Sequence, residues 1–92
     1  MRVGADTEKL RAFSGVLRRS AQEINDALRD TKRLSTDVAW EGNDADGFRR
    51  RLQTDLAPQA RASMDLLRDH ADALLGEARA QDATSGGGTS YG

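Results

Sequence analysis

Two long stretches of the chain carry apolar residues at helical spacing. In the first stretch the steps are mostly three or four residues, which places the apolar side chains on one face of an α-helix. The members of this stripe are Leu10, Phe13, Leu17, Ala21, Ile24, Leu28, Leu34 and Val38. Either Asp6 or Thr7 can cap a helix that starts near Glu8. The pattern therefore predicts a first helix of about thirty residues, roughly 45 Å long.

A second stripe with similar spacing runs from about Asp44 to about Ala80. Its members are Ala45, Phe48, Leu52, Leu56, Ala60, Met64, Leu67, Ala71, Leu74 and Ala78. Pro58 lies inside this pattern, where a proline removes a backbone hydrogen bond and meets the carbonyl of Thr54, at a cost of about 3 kcal/mol. Because the stripe keeps its phase across Pro58, we expect a kinked but continuous helix rather than a break.

The stretch between the two stripes, residues 38–44, predicts a tight turn. Gly42 has no Cβ and can adopt the left-handed conformation that reverses a chain, and Asn43 suits the N-cap of the second helix. We expect the ring of Trp40 to pack under the turn and fix the angle between the helices. If that ring is fully buried, Trp40→Ala should cost about 3–5 kcal/mol. An ordinary loop with a core tryptophan is the simpler interpretation.

These elements predict an all-α hairpin of two long antiparallel helices over residues 7–80, with a Trp-x-Gly turn at residues 40–42. Residues 1–6 are expected to form a flexible N-terminal arm. Residues 81–92 are rich in Gly and Ser and are expected to form a flexible tail.

A hairpin of this size has a small core and needs a further source of stability. The chain has 92 residues and no Cys, so no disulfide can support a single inner layer. Two long helices shield each other on one side only. We therefore expect a second hairpin to complete a four-helix-bundle dimer, although the hairpin interface itself could use the apolar stripes. The residues expected to pack in the hairpin or the dimer are Leu10, Phe13, Leu17, Ile24, Leu28, Leu34, Val38, Phe48, Leu52, Leu56, Met64, Leu67 and Leu74.

The charge balance narrows the range of partners. Fourteen basic and fifteen acidic residues give a net charge of −1, which argues against nucleic acid or an anionic membrane as a partner. The first residues lack an apolar core of signal-peptide length, so we expect no cleaved signal peptide and no stable membrane insertion. Composition alone predicts a cytoplasmic protein, and export without a cleaved signal remains open.

The residues that could carry chemistry are few. His70 is the single His, and we expect a structural or surface role, with a pH-sensitive contact as the alternative. The run Arg49-Arg50-Arg51 points in three directions, because consecutive helical residues are about 100° apart. It is interpreted as a solvated face, or alternatively as a docking site for an acidic partner. We expect no enzyme activity, no catalytic or metal-binding residues and no cofactor.

The central motif resembles that of a known family. Trp40-Glu41-Gly42, followed by Asp44-Ala45 and Phe48 and flanked by two amphipathic helices in a chain of this length, resembles the WXG family of type VII secretion, the hundred-residue, early-secretory-antigen-like proteins. The resemblance covers about residues 7–80. The high Arg and Ala content and the Gly-rich end are typical of actinobacterial proteins.

This resemblance implies a fold and a function. Members of the family form homodimers or heterodimers with related proteins, as antiparallel four-helix bundles. They are exported without a cleaved signal peptide by a secretion machine with an ATPase motor, or they carry larger effectors out. The turn motif contributes to export recognition, a role that falls here on Trp40 and Gly42. Many members carry a Tyr followed four residues later by an acidic residue, but Tyr91 is followed only by Gly92. We therefore expect that a partner chain supplies this signal, unless another feature does so or the tail is truncated.

The predicted function is that of a small non-enzymatic protein exported by, or carrying substrates of, a type VII secretion system. The alternative is a cytoplasmic adaptor or chaperone that covers a helical segment of a larger toxin or effector. A third hypothesis, a coiled-coil scaffold or nucleoid-associated protein, requires DNA affinity and conflicts with the net charge.

Overall fold

The structure, a computed structural model, describes the backbone of residues 6–89 and the side chains of residues 6–84. Its elements are α1 (Thr7–Asp37), α2 (Asn43–Arg51), a π-helical segment (Leu52–Leu56) and α3 (Ala57–Thr89). α2, the π-helical segment and α3 follow one another without interruption and form the second arm of a hairpin. The molecule is elongated and measures 73 × 18 × 18 Å. The predicted all-α hairpin is confirmed.

Asp6, rather than Thr7, caps α1. Its carboxylate accepts hydrogen bonds from the backbone N–H groups of Glu8 and Lys9, at 3.0 and 3.4 Å. Its carbonyl accepts the first helical bond, from the N–H of Leu10 at 3.0 Å. A helix start leaves four N–H groups without helical partners, and the carboxylate satisfies two of them. Asp6 thus belongs to the start of α1, while residues 1–5 of the predicted arm lie outside the described residues.

The turn depends on the backbone of Gly42. Gly42 has φ 108° and ψ −179°, a region that is almost closed to residues with a Cβ. It also occupies the N-cap of α2, where its carbonyl accepts a bond from the N–H of Asp46 at 3.0 Å. Asn43 is the first residue of α2 and makes no capping bond. The prediction of Asn43 as N-cap is therefore wrong by one residue, because the chain reversal and the helix start coincide at the glycine.

The second arm continues through Pro58, and the π-helical segment before it changes the phase of the apolar stripe. The N–H of Ala57 donates to the carbonyl of Leu52, five residues back, which makes a wider turn than in an α-helix. As a result Ala57 is buried and Leu56 is 45% exposed. The prediction that the stripe keeps its phase is wrong. Proline disfavours a regular helical turn before it, and a widened turn accommodates the change.

A seam of residues spaced by seven holds α1 against α3. Its members are Ser14, Ala21, Leu28 and Ser35 on α1, and Ala57, Met64, Ala71 and Ala78 on α3. All are buried except Leu28, which is half-buried. A seven-residue repeat keeps the same face turned toward a partner helix along its length. Small residues allow close approach, and the hydroxyl of Ser14 donates to the carbonyl of Ala71 at 2.8 Å.

α3 extends beyond the predicted end of the hairpin at Ala80. It is helical to Thr89, so the predicted start of the tail at residue 81 is too early. The arms are antiparallel, and Arg11, near the start of α1, forms an ion pair with Asp82, two residues beyond the predicted end. Residues 90–92, including Tyr91, lie outside the described residues.

Candidate interaction surface

The large apolar side chains lie mostly outside the seam. Among the buried residues that the structure describes, only Leu52 and Met64 have large side chains. Seven large apolar residues of the described range are 39–58% exposed, namely Phe13, Val16, Leu34, Val38, Trp40, Leu56 and Leu66. A helix pair that fills its centre with Ala and Ser leaves its bulkier apolar groups in contact with water. Exposed apolar surface of this kind marks an interaction site when it is contiguous.

Much of this surface forms one groove along one side of the hairpin. Two open hollows of about 270 and 260 Å³ lie between α1 and the second arm and share Thr31. We call them together the apolar groove, and its principal members are Ile24, Thr31, Leu34, Val38, Trp40, Phe48 and Leu56. On α1 the same line of three- and four-residue steps continues to Leu17 and Phe13. The apolar surface therefore extends along most of α1.

Trp40 closes the turn end of the apolar groove. Its ring contacts that of Phe48, with centroids 5.6 Å apart and planes tilted by 47°. The residue remains 39% exposed. The loss of about 3–5 kcal/mol expected for Trp40→Ala requires a fully buried ring, and therefore does not apply here. A partly exposed aromatic contact is worth about 0.5–1.5 kcal/mol. Trp40 therefore offers part of its ring as surface at one end of the molecule.

Arg49 ties the two arms together at the turn. Its Nε donates to the carbonyl of Ser35 and one terminal nitrogen donates to the carbonyl of Trp40, both at 2.7 Å. Its guanidinium carbon lies 5.9 Å from the centroid of the Trp40 ring, a cation–π contact. Ser35 is in the last turn of α1, where carbonyls lack helical partners and a positive charge is favourable. Arg49, from the second arm, thus supplies a hydrogen-bond donor to a carbonyl at the C-terminal end of α1.

Sequence reasoning missed this role of Arg49. The basic run was expected to be a solvated face or a docking site, but Arg49 turns toward the hairpin while Arg50 and Arg51 are exposed. The available signal was its position one residue after Phe48, close to the stripe. Spacing alone does not reveal which long side chain will reach back to a carbonyl.

The predicted packing residues fall into three groups. Leu52 and Met64 are buried, and four residues, Phe13, Leu34, Val38 and Leu56, are exposed. The remainder are half-buried, namely Leu10, Leu17, Ile24, Leu28, Phe48, Leu67 and Leu74. Packing within the hairpin does not bury all of these side chains. Most of the residues retain apolar surface that a second element could cover.

Ion pairs join the two arms on the side opposite the apolar groove. Arg11 pairs with Asp82, and Arg18 pairs with Asp72. The hydrogen bond from Arg11 lowers the pKa of Asp82 below its ordinary value of 3.8, desolvation opposes this lowering, and the positive charge of Arg11 adds to it. These pairs fix the register of the arms at the end remote from the turn.

Two further features concern the other candidate residues. His70 is exposed, and its Nδ1 lies 2.9 Å from the carbonyl oxygen of Leu66 on its own helix. Among the described residues, no group of three or more His, Cys, Asp or Glu side chains could hold a metal ion. The candidate site that the described residues offer is therefore the apolar groove.

Comparisons with protein-family models, with curated proteins and with solved structures found no match to this chain. Within the described range, none of the helices has the length and hydropathy needed to cross a membrane.

Proposed function

We propose that this protein is a small WXG-type component of a type VII secretion system, either exported itself or acting as the partner and carrier of an exported protein. One observation supports the proposal most. The large apolar side chains line an open groove on one side of a helical hairpin, and the Trp-x-Gly turn lies at the end of that groove.

The proposed partner is a second hairpin, from the same chain or from a related one. The apolar groove follows the direction of both arms, so two further helices laid against it would form a second layer and give a four-helix bundle. Such a layer would cover Leu34, Val38 and Leu56, which are about half exposed in the single hairpin. Apolar burial is the main favourable term in this kind of association.

The turn is proposed as the recognition surface for export. Gly42 is required by its backbone conformation, whereas Trp40 is held at its carbonyl by Arg49 and keeps part of its ring exposed. A fixed, partly exposed tryptophan is well suited to contact another protein, because it brings a large contact area at a low loss of side-chain entropy. The aromatic contact with Phe48 would orient this ring.

An export assay tests the proposal directly. The tagged chain is produced in a bacterium that has a type VII system and in the same strain without the secretion ATPase. We expect the chain in the culture supernatant of the first strain only. Trp40→Ala should reduce export, whereas Leu66→Ala, an exposed residue that lines neither hollow of the apolar groove, should not. Equal export from both strains would rule out the proposed route.

A cytoplasmic adaptor for a larger effector is the second candidate. The observation that favours it is the openness of the apolar groove along one side, which accepts a single amphipathic helix as well as a hairpin. In this case the chain should co-purify with a larger client and should form no stable dimer without it.

A further inference from the structure

The side of the hairpin opposite the apolar groove carries a second groove with a different chemistry. Two adjoining hollows of about 530 and 430 Å³ lie between the arms in the half nearer the turn, and they share Lys32 and Arg61. We call them together the basic groove. Its charged lining residues are Arg29, Lys32, Arg49, Arg61, Arg68 and Asp65. Five cations and one carboxylate therefore surround this groove.

Three of these cations are not neutralised within the hairpin. Arg29 pairs with Asp26 and Asp30, and Arg49 pairs with Asp46. Among the described side chains, Lys32, Arg61 and Arg68 make no ion pair, and neither does Asp65. The basic groove thus has a net positive charge, although the whole chain has a net charge of −1.

These cations lie together, without acidic partners in the part of the chain that the structure describes, in the half of the hairpin nearer the turn. Arg11, Arg18, Asn25 and Lys32 recur every seven residues along the edge of α1 next to the seam. At the far end of this edge Arg11 and Arg18 meet Asp82 and Asp72. Nearer the turn, Lys32 instead lines the same groove as Arg61 and Arg68. Clustered cations produce a positive potential at the surface, and an anionic ligand would be complementary to it.

The floor of the basic groove is apolar. Leu28, which is half-buried, lies beneath one hollow with the buried Met64, and the buried Leu52 and Ala57 lie beneath the other. The apolar contact area of the groove therefore comes from Leu28 and from the aliphatic stems of the Lys and Arg side chains at its rim. From Arg49 to Arg68 the helical rise corresponds to about 28 Å, the length of an α-helix of about five turns. A third helix can lie in the groove between two antiparallel helices.

We infer that the basic groove binds an acidic amphipathic helix of a partner protein. Its apolar stripe would lie on the floor, and its Glu or Asp side chains would pair with Lys32, Arg61 and Arg68 at the rim. A nucleic acid fits the site less well, because its phosphates gain no favourable contact from apolar side chains at the floor of the groove.

Fluorescence anisotropy with the full chain tests this inference. The first probe is a labelled synthetic helical peptide with a Leu stripe flanked by Glu. The second is a peptide of the same composition in which the Leu residues are dispersed, and the third is a single-stranded oligonucleotide. We expect saturable binding of the first probe alone, weakened as the salt concentration rises from about 0.05 M to about 0.5 M.

A matched pair of triple variants localises the binding. Combining Lys32→Gln, Arg61→Gln and Arg68→Gln should weaken binding of the first peptide at least about tenfold. Combining Arg19→Gln, Arg51→Gln and Arg79→Gln removes the same charge from exposed positions outside the groove and should leave the affinity unchanged. Circular dichroism checks that both variants keep the helix content of the parent. Equal weakening by the two variants, no binding of the first peptide, or tighter binding of the second or third probe would each overturn the inference.

Discussion

Gly42 and Arg49 stabilise the turn in different ways. Gly42 supplies a backbone conformation with φ 108° that other residues adopt only with strain. Arg49 supplies donors to two carbonyls, those of Ser35 and Trp40, across the hairpin. The first role depends on the absence of a side chain, and the second depends on a long planar one.

Gly42→Ala should destabilise the hairpin by about 1–3 kcal/mol, the usual cost of a residue forced into such a conformation. The effect is one of backbone strain, because a Cβ added at this position would meet no atom beyond its chain neighbours within 4 Å. Urea denaturation measures the loss of stability.

Gly47→Ala is the control for this experiment. Gly47 is in α2, where an added Cβ would likewise lie in open space, but this glycine has no positive φ. Alanine there should stabilise the helix by about 0.5–1 kcal/mol. A loss of stability of the same size in both variants would contradict the assigned role of Gly42.

Arg49→Ala should reduce stability by about 1.5–3 kcal/mol, because it removes hydrogen bonds from a charged donor to carbonyls at the end of α1. The fluorescence of Trp40, the single tryptophan of the chain, should also change as the cation leaves its ring. Arg51→Ala removes an exposed cation without such contacts and serves as the control. If both variants unfold at the same urea concentration as the parent, Arg49 does not support the turn.

At this scale the sequence predicts some residues and not others. Gly42 was predictable, because a short chain reversal between two helices requires a residue without a Cβ. The cap at Asp6 was one of two candidates, and the contacts of its carboxylate decide between them. Arg49 was not predictable, because its partners belong to α1 and to the turn, and no spacing rule connects them.

The helical elements follow from the apolar pattern, but their packing faces do not. The stripe on α1 is wide, and the seam uses only one edge of it, where Ser14, Ala21 and Ser35 are found. Sequence reasoning placed Phe13 and Leu34 in the same packing set, although they are exposed in the hairpin. A pattern of hydrophobic spacing gives little indication that Ala and Ser are packing positions. These small residues nevertheless determine how closely the helices approach.

The second arm shows a further limit of the pattern. A proline predicts a disturbance, but not whether the helix bends, breaks or widens. Here the π-helical segment Leu52–Leu56 inserts one residue and brings Ala57 into the seam in place of Leu56. The predicted end of the arm is also too early, because the Gly- and Ser-rich residues up to Thr89 continue α3 although their composition favours a flexible tail.

The ion pair of Arg11 with Asp82 should make the open end of the hairpin sensitive to acid. The pKa of Asp82 is lowered in the folded state, so the unfolded chain binds the proton more readily. The stabilisation is therefore complete above the ordinary pKa of 3.8 and is lost as the pH falls through the lowered value. Asp82→Asn should lower the thermal midpoint at neutral pH and have a smaller effect in acid.

Thermal melts of the parent and the variant, at about pH 6 and about pH 2.5, check this expectation. Asp69→Asn, which alters an exposed carboxylate without an ion pair among the described side chains, is the control. An effect of Asp82→Asn that is the same at both pH values would show that the carboxylate charge does not matter there.

The whole molecule presents two unlike sides. One side carries the apolar groove, and the other carries the ion pairs and the basic groove. The seam between them is made mostly of small residues and buries little apolar surface for a chain of 92 residues. Small folds with so little core depend on association or on cross-links, and the chain has no Cys. We therefore expect the hairpin to be one half of a larger helical assembly.

The measurement that tests this expectation most directly is the mass of the purified chain by light scattering over a range of concentrations. We predict a dimer of about 20 kDa, twice the chain mass of 10.0 kDa. Leu34→Glu combined with Leu56→Glu, which places two charges in the apolar groove, should give a monomer. Ala62→Glu combined with Ala83→Glu, at exposed positions outside both grooves, should leave the dimer intact. A fully helical monomer at every concentration, unaffected by either pair of substitutions, would contradict the assignment of the apolar groove as an interface between hairpins.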